Sequence, residues 1–356
     1  MKRSVLALLL LCLVTGGAFS QKKETFIVKK AGQLVDYLSE RKLKGLDTNY
    51  VGAPKKNWTI LFNTYVSRMD FDLRSNVLEE EEFSDGPKMN RSVIDMHSKS
   101  DKVLSLGLYY MGYGLAYSQN LGKGFAKSMS LSLYSPKIGG EIRYHSTKNI
   151  KGTMDMEGGD FKMKLLGGEA KMENLILNAY YVFNPKKFSY ASAMNYFALQ
   201  KKSAGSVLAG FSAHRTRLTS YEGWLSYMLG RVNRLKINQF SIGAGYGYNW
   251  VPVTGLTVHV SEVPMLLITT RSSTKMKSSG NDGWDSTQKL GQKDLFGNKA
   301  RFSFSHMFRV SVSYQMKDRY LFGASCLYNY YRVGKPSQYF MSNEDWSIRL
   351  FVGYRF

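Results

Sequence analysis

Five histidines are the residues of this chain that could activate a nucleophile: His97, His145, His214, His259 and His306. A hydrolase of this kind needs a serine within hydrogen-bond reach of a histidine, and a polar group that orients the histidine. Side chains two residues apart on a strand share a face, so Ser212 and His214 have suitable spacing, whereas the adjacent His145 and Ser146 do not. Serines alternate with apolar residues in many segments, so such pairs also arise by chance. The sequence therefore assigns no catalytic residue and predicts that the protein is not an enzyme.

Two groups of carboxylates could bind a hard cation. One is the acidic run at 79–82 with Asp85, and the other is Asp155, Glu157 and Asp160 in a glycine-rich stretch. The acidic run lacks the alternating ligand spacing and the turn glycine of a dedicated calcium loop. The second group, spaced by two and three residues, is weakly typical of a cation site. The chain has two cysteines, which are too few for a cysteine-based zinc site. We expect neither a metal nor a cofactor.

The first twenty residues have the three parts of a secretory signal peptide. Lys2 and Arg3 are positive, 5–14 is apolar, and Ala18 and Ser20 are small residues at positions −3 and −1 before the expected cleavage site. The apolar part is too short to span a bilayer as a helix. We expect cleavage after residue 20 and export. The mature chain then keeps only Cys326, which cannot form an internal disulfide.

Apolar and polar residues alternate through most of the remaining chain. At the C-terminus the polar face carries Ser347, Arg349, Gly353 and Arg355. Such alternation predicts a strand with two unlike faces, and eleven residues is the length of a transmembrane strand. A lipid-facing barrel presents its apolar face outward. The apolar face looks like the C-terminal signal that the barrel-assembly machinery recognises in bacterial outer-membrane barrels. It consists of Trp346, Ile348, Leu350, Val352, Tyr354 and Phe356.

The same pattern predicts an all-β fold, a transmembrane antiparallel β-barrel of about twelve strands. An even number is typical of single-chain bacterial barrels. The predicted strands lie near 57–72, 101–110, 112–120, 127–135, 137–148, 173–184, 204–218, 236–250, 254–270, 301–317, 319–332 and 344–356. With the N-terminus in the periplasm, the outward connections are long, among them 73–100, 149–172 and 271–300, and the inward ones are short.

One inward connection, 185–203, is long and breaks this rule. It carries four lysines around the aromatic residues Phe188, Tyr190, Tyr196 and Phe197. A periplasmic loop with this apolar content is expected to fold back onto the protein. We predict that it packs into the lower mouth of the barrel as a constriction.

Residues 21–56 separate the signal peptide, 1–20, from the barrel, 57–356. Leu34, Val35, Leu38 and Leu43 have roughly helical spacing within a charged stretch. We predict a short periplasmic helix over 31–44, ended by a glycine. This helix either rests under the barrel mouth or enters the lumen as a plug.

The chain is strongly basic, with 49 Lys+Arg against 27 Asp+Glu and a formal net charge of +22. Nucleic acid is not expected as a partner of an exported barrel. Basic residues near the strand ends can pair with lipopolysaccharide phosphates, and lumenal arginines can bias a pore toward anions or pair with carboxylates to fill a closed interior. The candidate lumenal charged residues are Glu141, Arg143, His145, Arg309, Arg349 and Arg355.

Four segments carry a family resemblance. They are Lys-Gly-Leu-Asp-Thr-Asn-Tyr-Val at 44–51, Lys-Ser-Ala-Gly-Ser at 202–206, Gly-Ala-Gly-Tyr-Gly-Tyr-Asn at 243–249, and Phe-Val-Gly-Tyr-Arg-Phe at 351–356. Together they resemble the domain-of-unknown-function family 4421, found in Bacteroidetes-type bacteria, over nearly the whole mature chain. The resemblance implies an outer-membrane barrel and implies no activity.

Three functions stay open at this point. The first is a narrow pore or solute-binding barrel with a basic lumen, and the second is a closed barrel that acts as a surface structural or interaction protein through its long outer loops. An outer-membrane hydrolase is third. Twelve strands lie between filled eight-stranded barrels and open sixteen-stranded porins, so strand number does not decide. The expected partners are outer-membrane lipid, lipopolysaccharide and, during biogenesis, the barrel-assembly machinery.

Overall fold

The computed structural model describes residues 45–79, 88–98, 101–120, 127–148, 150–157, 161–165, 168, 170–220, 232–277, 285–290, 303–334 and 339–356. The predicted signal peptide and the predicted helix at 31–44 lie outside these residues. The chain divides into two units, Met1–Leu46 and Asp47–Phe356, and all of the described strands belong to the second unit. Within the described ranges no helix is long and apolar enough to cross a membrane.

Antiparallel β-strands make up almost all of the described chain, with a single turn-length helix, α1 (Tyr190–Met194). The strands are, in chain order, β1 (Val51–Gly52), β2 (Trp58–Glu79), β3 (Lys88–Ser98), β4 (Asp101–Tyr110), β5 (Tyr113–Asn120), β6 (Lys127–Tyr134), β7 (Ile138–Thr147), β8 (Ile150–Glu157), β9 (Phe161–Leu165), β10 (Ala170–Val182), β11 (Leu199–Gln200), β12 (Ala204–Ser220), β13 (Val232–Trp250), β14 (Leu256–Lys277), β15 (Asp285–Leu290), β16 (Phe304–Met316), β17 (Tyr320–Gly334) and β18 (Tyr339–Arg355).

Twelve of these strands close into a barrel. They follow one another around it in the order β2, β4, β5, β6, β7, β10, β12, β13, β14, β16, β17 and β18. The last strand returns to the first, from Arg355 opposite Thr59 to Tyr339 opposite Ser75, so the barrel has no free edge. The prediction of a twelve-stranded antiparallel barrel is confirmed.

The barrel wall has an apolar outer face and a polar inner face. On β18 and at the residue after it, the alternate residues Ile348, Leu350, Val352, Tyr354 and Phe356 are between 43% and 57% exposed, whereas Ser347 and Arg355 on the other face are buried. Trp346 begins this outer face and is half-buried. A polar interior behind an apolar exterior is the inversion that a lipid-facing barrel requires.

Several strands continue well beyond the apolar band. A strand crosses a bilayer in about 9–11 residues, and β2 and β14 each have 22. The extension of β2 pairs with β3, and the extension of β14 pairs with β15. Beyond β3 the sheet continues with β8 and then β9. The sequence predicted connections at 73–100, 149–172 and 271–300 and missed these strands. Outside the bilayer no face of a strand must be uniformly apolar, so the period-two pattern fades there.

The two ends of the barrel differ. Short turns join β4 to β5, β6 to β7, β13 to β14 and β16 to β17 at the end where the chain terminates. The extended strands lie at the opposite end. In outer-membrane barrels short turns face the periplasm and long loops face outward, so we call these the inner end and the outer end.

Apolar side chains fill the lumen near the outer end. This outer apolar layer combines residues from β2, β3, β8, β10, β12, β13, β17 and β18, and each is at most 6% exposed. The layer consists of Met69, Phe71, Ile94, Met96, Ile150, Ala170, Met172, Leu218, Leu235, Ile237, Val333 and Met341. Water-filled pores have polar interiors, and this layer of the lumen is apolar.

Candidate functional site

The inner mouth of the barrel is occupied by the long inward connection, residues 185–203, which we call the plug. It contains α1, whose first turn is capped by Ser189, with Ser189 Oγ accepting from the Ser192 backbone N–H at 3.3 Å. The aromatic side chains Phe188, Tyr190 and Tyr196 are at most 5% exposed. The prediction that this connection folds back into the barrel mouth is confirmed.

Hydrogen bonds attach the plug to strands around the barrel. Asn195 Nδ2 donates to the Gly112 carbonyl at 2.7 Å, and Asn249 Nδ2 donates to the Ser189 carbonyl at 2.9 Å. Ser311 Oγ donates to the Ala193 carbonyl at 3.1 Å. These partners lie on the β4–β5 turn, β13 and β16, so the plug is fixed from several sides and its Ser189 and Ala193 carbonyls are satisfied.

Arg355 is one of the predicted lumenal charges, and it also binds the plug. Its guanidinium donates to Gln315 Oε1 at 2.9 Å and to the Tyr196 carbonyl. Beside it the Tyr196 ring stacks on Phe351 with centroids 4.0 Å apart. The C-terminal strand therefore presents aromatic residues on the outer face of the barrel wall and contacts the plug on the inner face.

The segment before the barrel holds the plug from below. Strand β1 pairs with β11 of the plug, Val51 opposite Gln200. The Asp47 N–H donates to the Lys186 carbonyl at 2.9 Å, and Lys187 Nζ lies 5.0 Å from the centroid of the Tyr50 ring, within cation–π range. Hydrophobic periodicity gave no signal for this pairing, although 44–51 was one of the segments that carried the family resemblance.

Gly247 lies in 243–249, another segment that carried the family resemblance, and it contacts the plug. Its position on β13 faces the lumen, and a Cβ there would lie 3.0 Å from Phe188 Cζ and 3.2 Å from Leu208 Cδ1. A larger residue would require Phe188 and Leu208 to shift by a few tenths of an ångström. Glycine at this strand position therefore gives the plug the close approach that it needs.

Three of the predicted lumenal charges form one buried network above the plug. Glu141 accepts from Arg309 Nη2 at 2.7 Å and lies 3.7 Å from Arg143 Nε. Asn178 Nδ2 donates to the same carboxylate at 3.1 Å, and Arg143 Nη2 lies 3.6 Å from Asp345 Oδ2. The sequence left open whether the lumenal arginines bias a pore toward anions or pair with carboxylates to fill the interior. In this geometry they pair with carboxylates.

The other predicted lumenal residues line a small cavity beside this network. His145 and Arg349 lie on its wall with Arg143, and the remaining lining is rich in serine. The Arg349 guanidinium lies 5.5 Å from the centroid of the Tyr65 ring. The cavity offers about 30 Å³ to the centres of water molecules, which is room for about two waters. A sugar or a nucleotide does not fit in it.

A serine, a histidine and an asparagine of β13 and β14 meet beside the plug in an arrangement that sequence reasoning missed. His259 Nε2 lies 3.0 Å from Ser261 Oγ, and His259 Nδ1 lies 2.7 Å from Asn249 Oδ1. Asn249 Nδ2 donates to Ser189, so its Oδ1 accepts from His259 Nδ1–H, and Nε2 accepts from the serine. The spacing of His259 and Ser261 matches that of Ser212 and His214, so the signal was present in the sequence.

This arrangement would activate a serine if substrate could reach it. All three side chains are at most 1% exposed, and Tyr190 OH of the plug lies 3.2 Å from Ser261 Oγ. They also lie outside the lining of the cavity. We interpret them as a hydrogen-bonded anchor for the plug.

Ser212 and His214, the pair with suitable spacing in the sequence, contact other groups. Ser212 Oγ donates to Asn178 Oδ1 at 2.7 Å and lies 2.8 Å from Tyr331 OH, while the His214 ring packs against Tyr331. Among the described residues no group of three or more His, Cys, Asp or Glu side chains could hold a metal ion.

Three solved structures of outer-membrane proteins are similar to the chain at low scores. The outer membrane protease OmpT of Escherichia coli gives a TM-score of 0.38 at 8% identity, covering 85% of this chain and 97% of that one. OprG of Pseudomonas aeruginosa gives 0.30 at 12%, covering 86% and 98%. The translocator domain of the autotransporter NalP of Neisseria meningitidis gives 0.32 at 12%, covering 92% and 96%. Similarities this low say nothing about activity.

No curated protein matches the chain. A family model does match it, over residues 45–356, which contain the β1 segment, the plug and the whole barrel. This range includes all four segments that carried the resemblance, apart from the first residue of 44–51. The chain belongs to the family described as Domain of unknown function (DUF4421).

Proposed function

We propose that the protein is a closed outer-membrane barrel that acts at the cell surface, as a structural or interaction protein, and does not conduct solutes. The single observation that carries this proposal is the filled lumen. The plug occupies the inner mouth, the Glu141 network lies above it, and the outer apolar layer covers the other end. This favours the second of the three functions over a pore.

The dimensions of the lumenal cavity also favour a closed barrel over a solute-binding one. Its space for about two waters lies among side chains of seven barrel strands. A binding site for an organic solute typically has a volume of several hundred Å³. The arginines of this lumen are more simply explained as partners of Glu141 and Asp345.

The part of the molecule that is available for contacts is the sheet beyond the apolar band. On β2 the outward residues change from apolar, with Ile60 and Phe62 exposed, to charged, with Arg68 and Asp70 paired at 2.7 Å. Strands β3, β8 and β9 extend this sheet sideways by three strands. A water-exposed sheet of this kind is the surface through which a closed barrel would meet a partner.

The proposal predicts that the protein adds no permeability to the outer membrane. Cells that express it with a periplasmic β-lactamase should hydrolyse external nitrocefin at the rate of cells with an empty vector, while cells that express a general porin hydrolyse it faster. An epitope inserted at 158–160, between β8 and β9, should be labelled by antibody on intact cells. Faster hydrolysis, or an epitope that is labelled only after the cells are broken, would contradict the proposal.

A further inference from the structure

Six basic side chains lie on the outward face of four neighbouring strands, directly beyond the apolar band. The band ends there at exposed apolar residues, Phe211 on β12, Phe240 on β13 and Ile268 on β14. Toward the outer end, the outward positions of β10 and of these three strands then become basic. We call the following six residues the basic patch: Lys171, Arg215, Arg217, Arg234, Lys236 and Arg271.

Strand register brings these residues into adjacent rows. Arg217 lies directly opposite Lys236, and Asn238 lies between Arg215 and Arg271 in the next row. Like charges directly opposite each other on neighbouring strands destabilise a sheet. Four strands at about 4.8 Å spacing make the patch about 14 Å wide.

The described neighbours neutralise little of this charge. Glu173 is the one described carboxylate that pairs with the patch, at 2.8 Å from Lys171 Nζ and 3.3 Å from Arg217 Nη1. Arg215 Nε donates to the neutral Asn238 Oδ1 at 2.8 Å. The other four basic side chains of the patch, Arg215, Arg234, Lys236 and Arg271, form no ion pair with a described carboxylate.

We propose that the basic patch binds the phosphate groups of a phosphorylated glycolipid of the outer leaflet, whose acyl chains lie along the apolar band below it. The phosphates of such a lipid lie at the boundary between acyl chains and water, which is the level at which the band ends and the patch begins. Guanidinium groups bind phosphate oxygens in pairs, and four of the six residues are arginines.

The width of the patch favours a headgroup with two phosphates over a single one. A patch that spans four strands can contact two phosphates at once, whereas a free phosphate ion or the single phosphate of a glycerophospholipid would engage only part of it. Holding the acyl chains and both phosphates together also raises the effective concentration of each contact.

The test uses the mature chain, 21–356, folded in an uncharged detergent and titrated with diphosphoryl lipid A, with bound lipid counted by native mass spectrometry. We expect the variant R215Q/R234Q/K236Q to bind at least tenfold more weakly than the wild type. The matched control K137Q/K317Q/R319Q removes three exposed basic residues at the inner end and should bind like the wild type. Raising the salt to 0.5 M should weaken binding by the wild type.

Equal binding by the patch variant and the wild type would overturn the proposal. Equal displacement of lipid A by the same concentration of phosphatidylglycerol or inorganic phosphate would also overturn it, because the patch would then not select a phosphorylated glycolipid. Heat-shifted gel mobility shows whether each variant is folded. If the triple variant does not fold, R234Q/R271Q replaces it, since both of these side chains are exposed.

Discussion

Replacing residues 188–199 by a Gly/Ser linker of equal length is expected to open the inner mouth of the barrel and to lower its stability. The replaced stretch includes Phe188, Tyr190, Tyr196 and Phe197, which are all buried, and truncating one such aromatic residue typically costs about 3–5 kcal/mol. The barrel wall keeps its full set of strand pairings, so the variant should still fold. We expect its thermal unfolding midpoint to fall by about 10 °C or more.

Opening of the mouth can be measured through Ser311, whose hydroxyl donates to the Ala193 carbonyl of the plug and is 1% exposed. In a Cys326→Ser background, Ser311→Cys should react with a water-soluble thiol reagent at least tenfold faster in the linker variant than in the intact chain. Replacing 221–231, the connection from β12 to β13 at the outer end, is the control of similar length and should change neither rate nor midpoint. Equal labelling with and without the plug would contradict the assignment.

Glu141→Gln is expected to destabilise the barrel by about 3–5 kcal/mol, because it leaves Arg309 and Arg143 without their shared carboxylate in the lumen. Removing one partner of a buried ion pair costs far more than removing one from an exposed pair. The control is Asp70→Asn, since the Arg68–Asp70 pair is 40% and 23% exposed and should be worth under about 1 kcal/mol. Urea unfolding in lipid vesicles, followed by tryptophan fluorescence, measures both.

A double variant separates loss of the pair from general damage. If Glu141 and Arg309 act together, Glu141→Gln/Arg309→Gln should cost clearly less than the sum of the two single changes. Purely additive losses, or a Glu141→Gln barrel as stable as Asp70→Asn, would show that the network is not what holds the lumen together.

The membrane-crossing part of the fold could be predicted because lipid imposes a rule on every strand. Residues such as Ile348 and Leu350 must be apolar while Ser347 and Arg349 face the lumen, and this alternation marked all twelve barrel strands. It also placed Glu141, Arg143 and Arg309 on the inner face. Outside the bilayer the rule does not apply, so β3, β8, β9 and β15 gave no such signal.

The contacts inside the lumen could not be predicted in the same way, because they join distant parts of the chain. Asn195 and Gly112 are 83 residues apart, and Arg309 and Glu141 are 168 apart. Which lumenal groups meet depends on the register of every strand between them. The aromatic content of 185–203 indicated that it folds back, yet the partners that fix it, and the pairing of β1 with β11, appear only in three dimensions.

Single-channel current is the most direct test of a closed barrel. Residues 21–356, the predicted mature chain, would be refolded and shown to be folded by heat-shifted gel mobility. They would then be inserted into a planar bilayer, with a sixteen-stranded porin as the positive control. The filled lumen predicts no discrete current steps from this protein under conditions in which the porin conducts. Steady, reproducible steps from the folded, intact chain would contradict the account and return the basic lumen to the role of a pore.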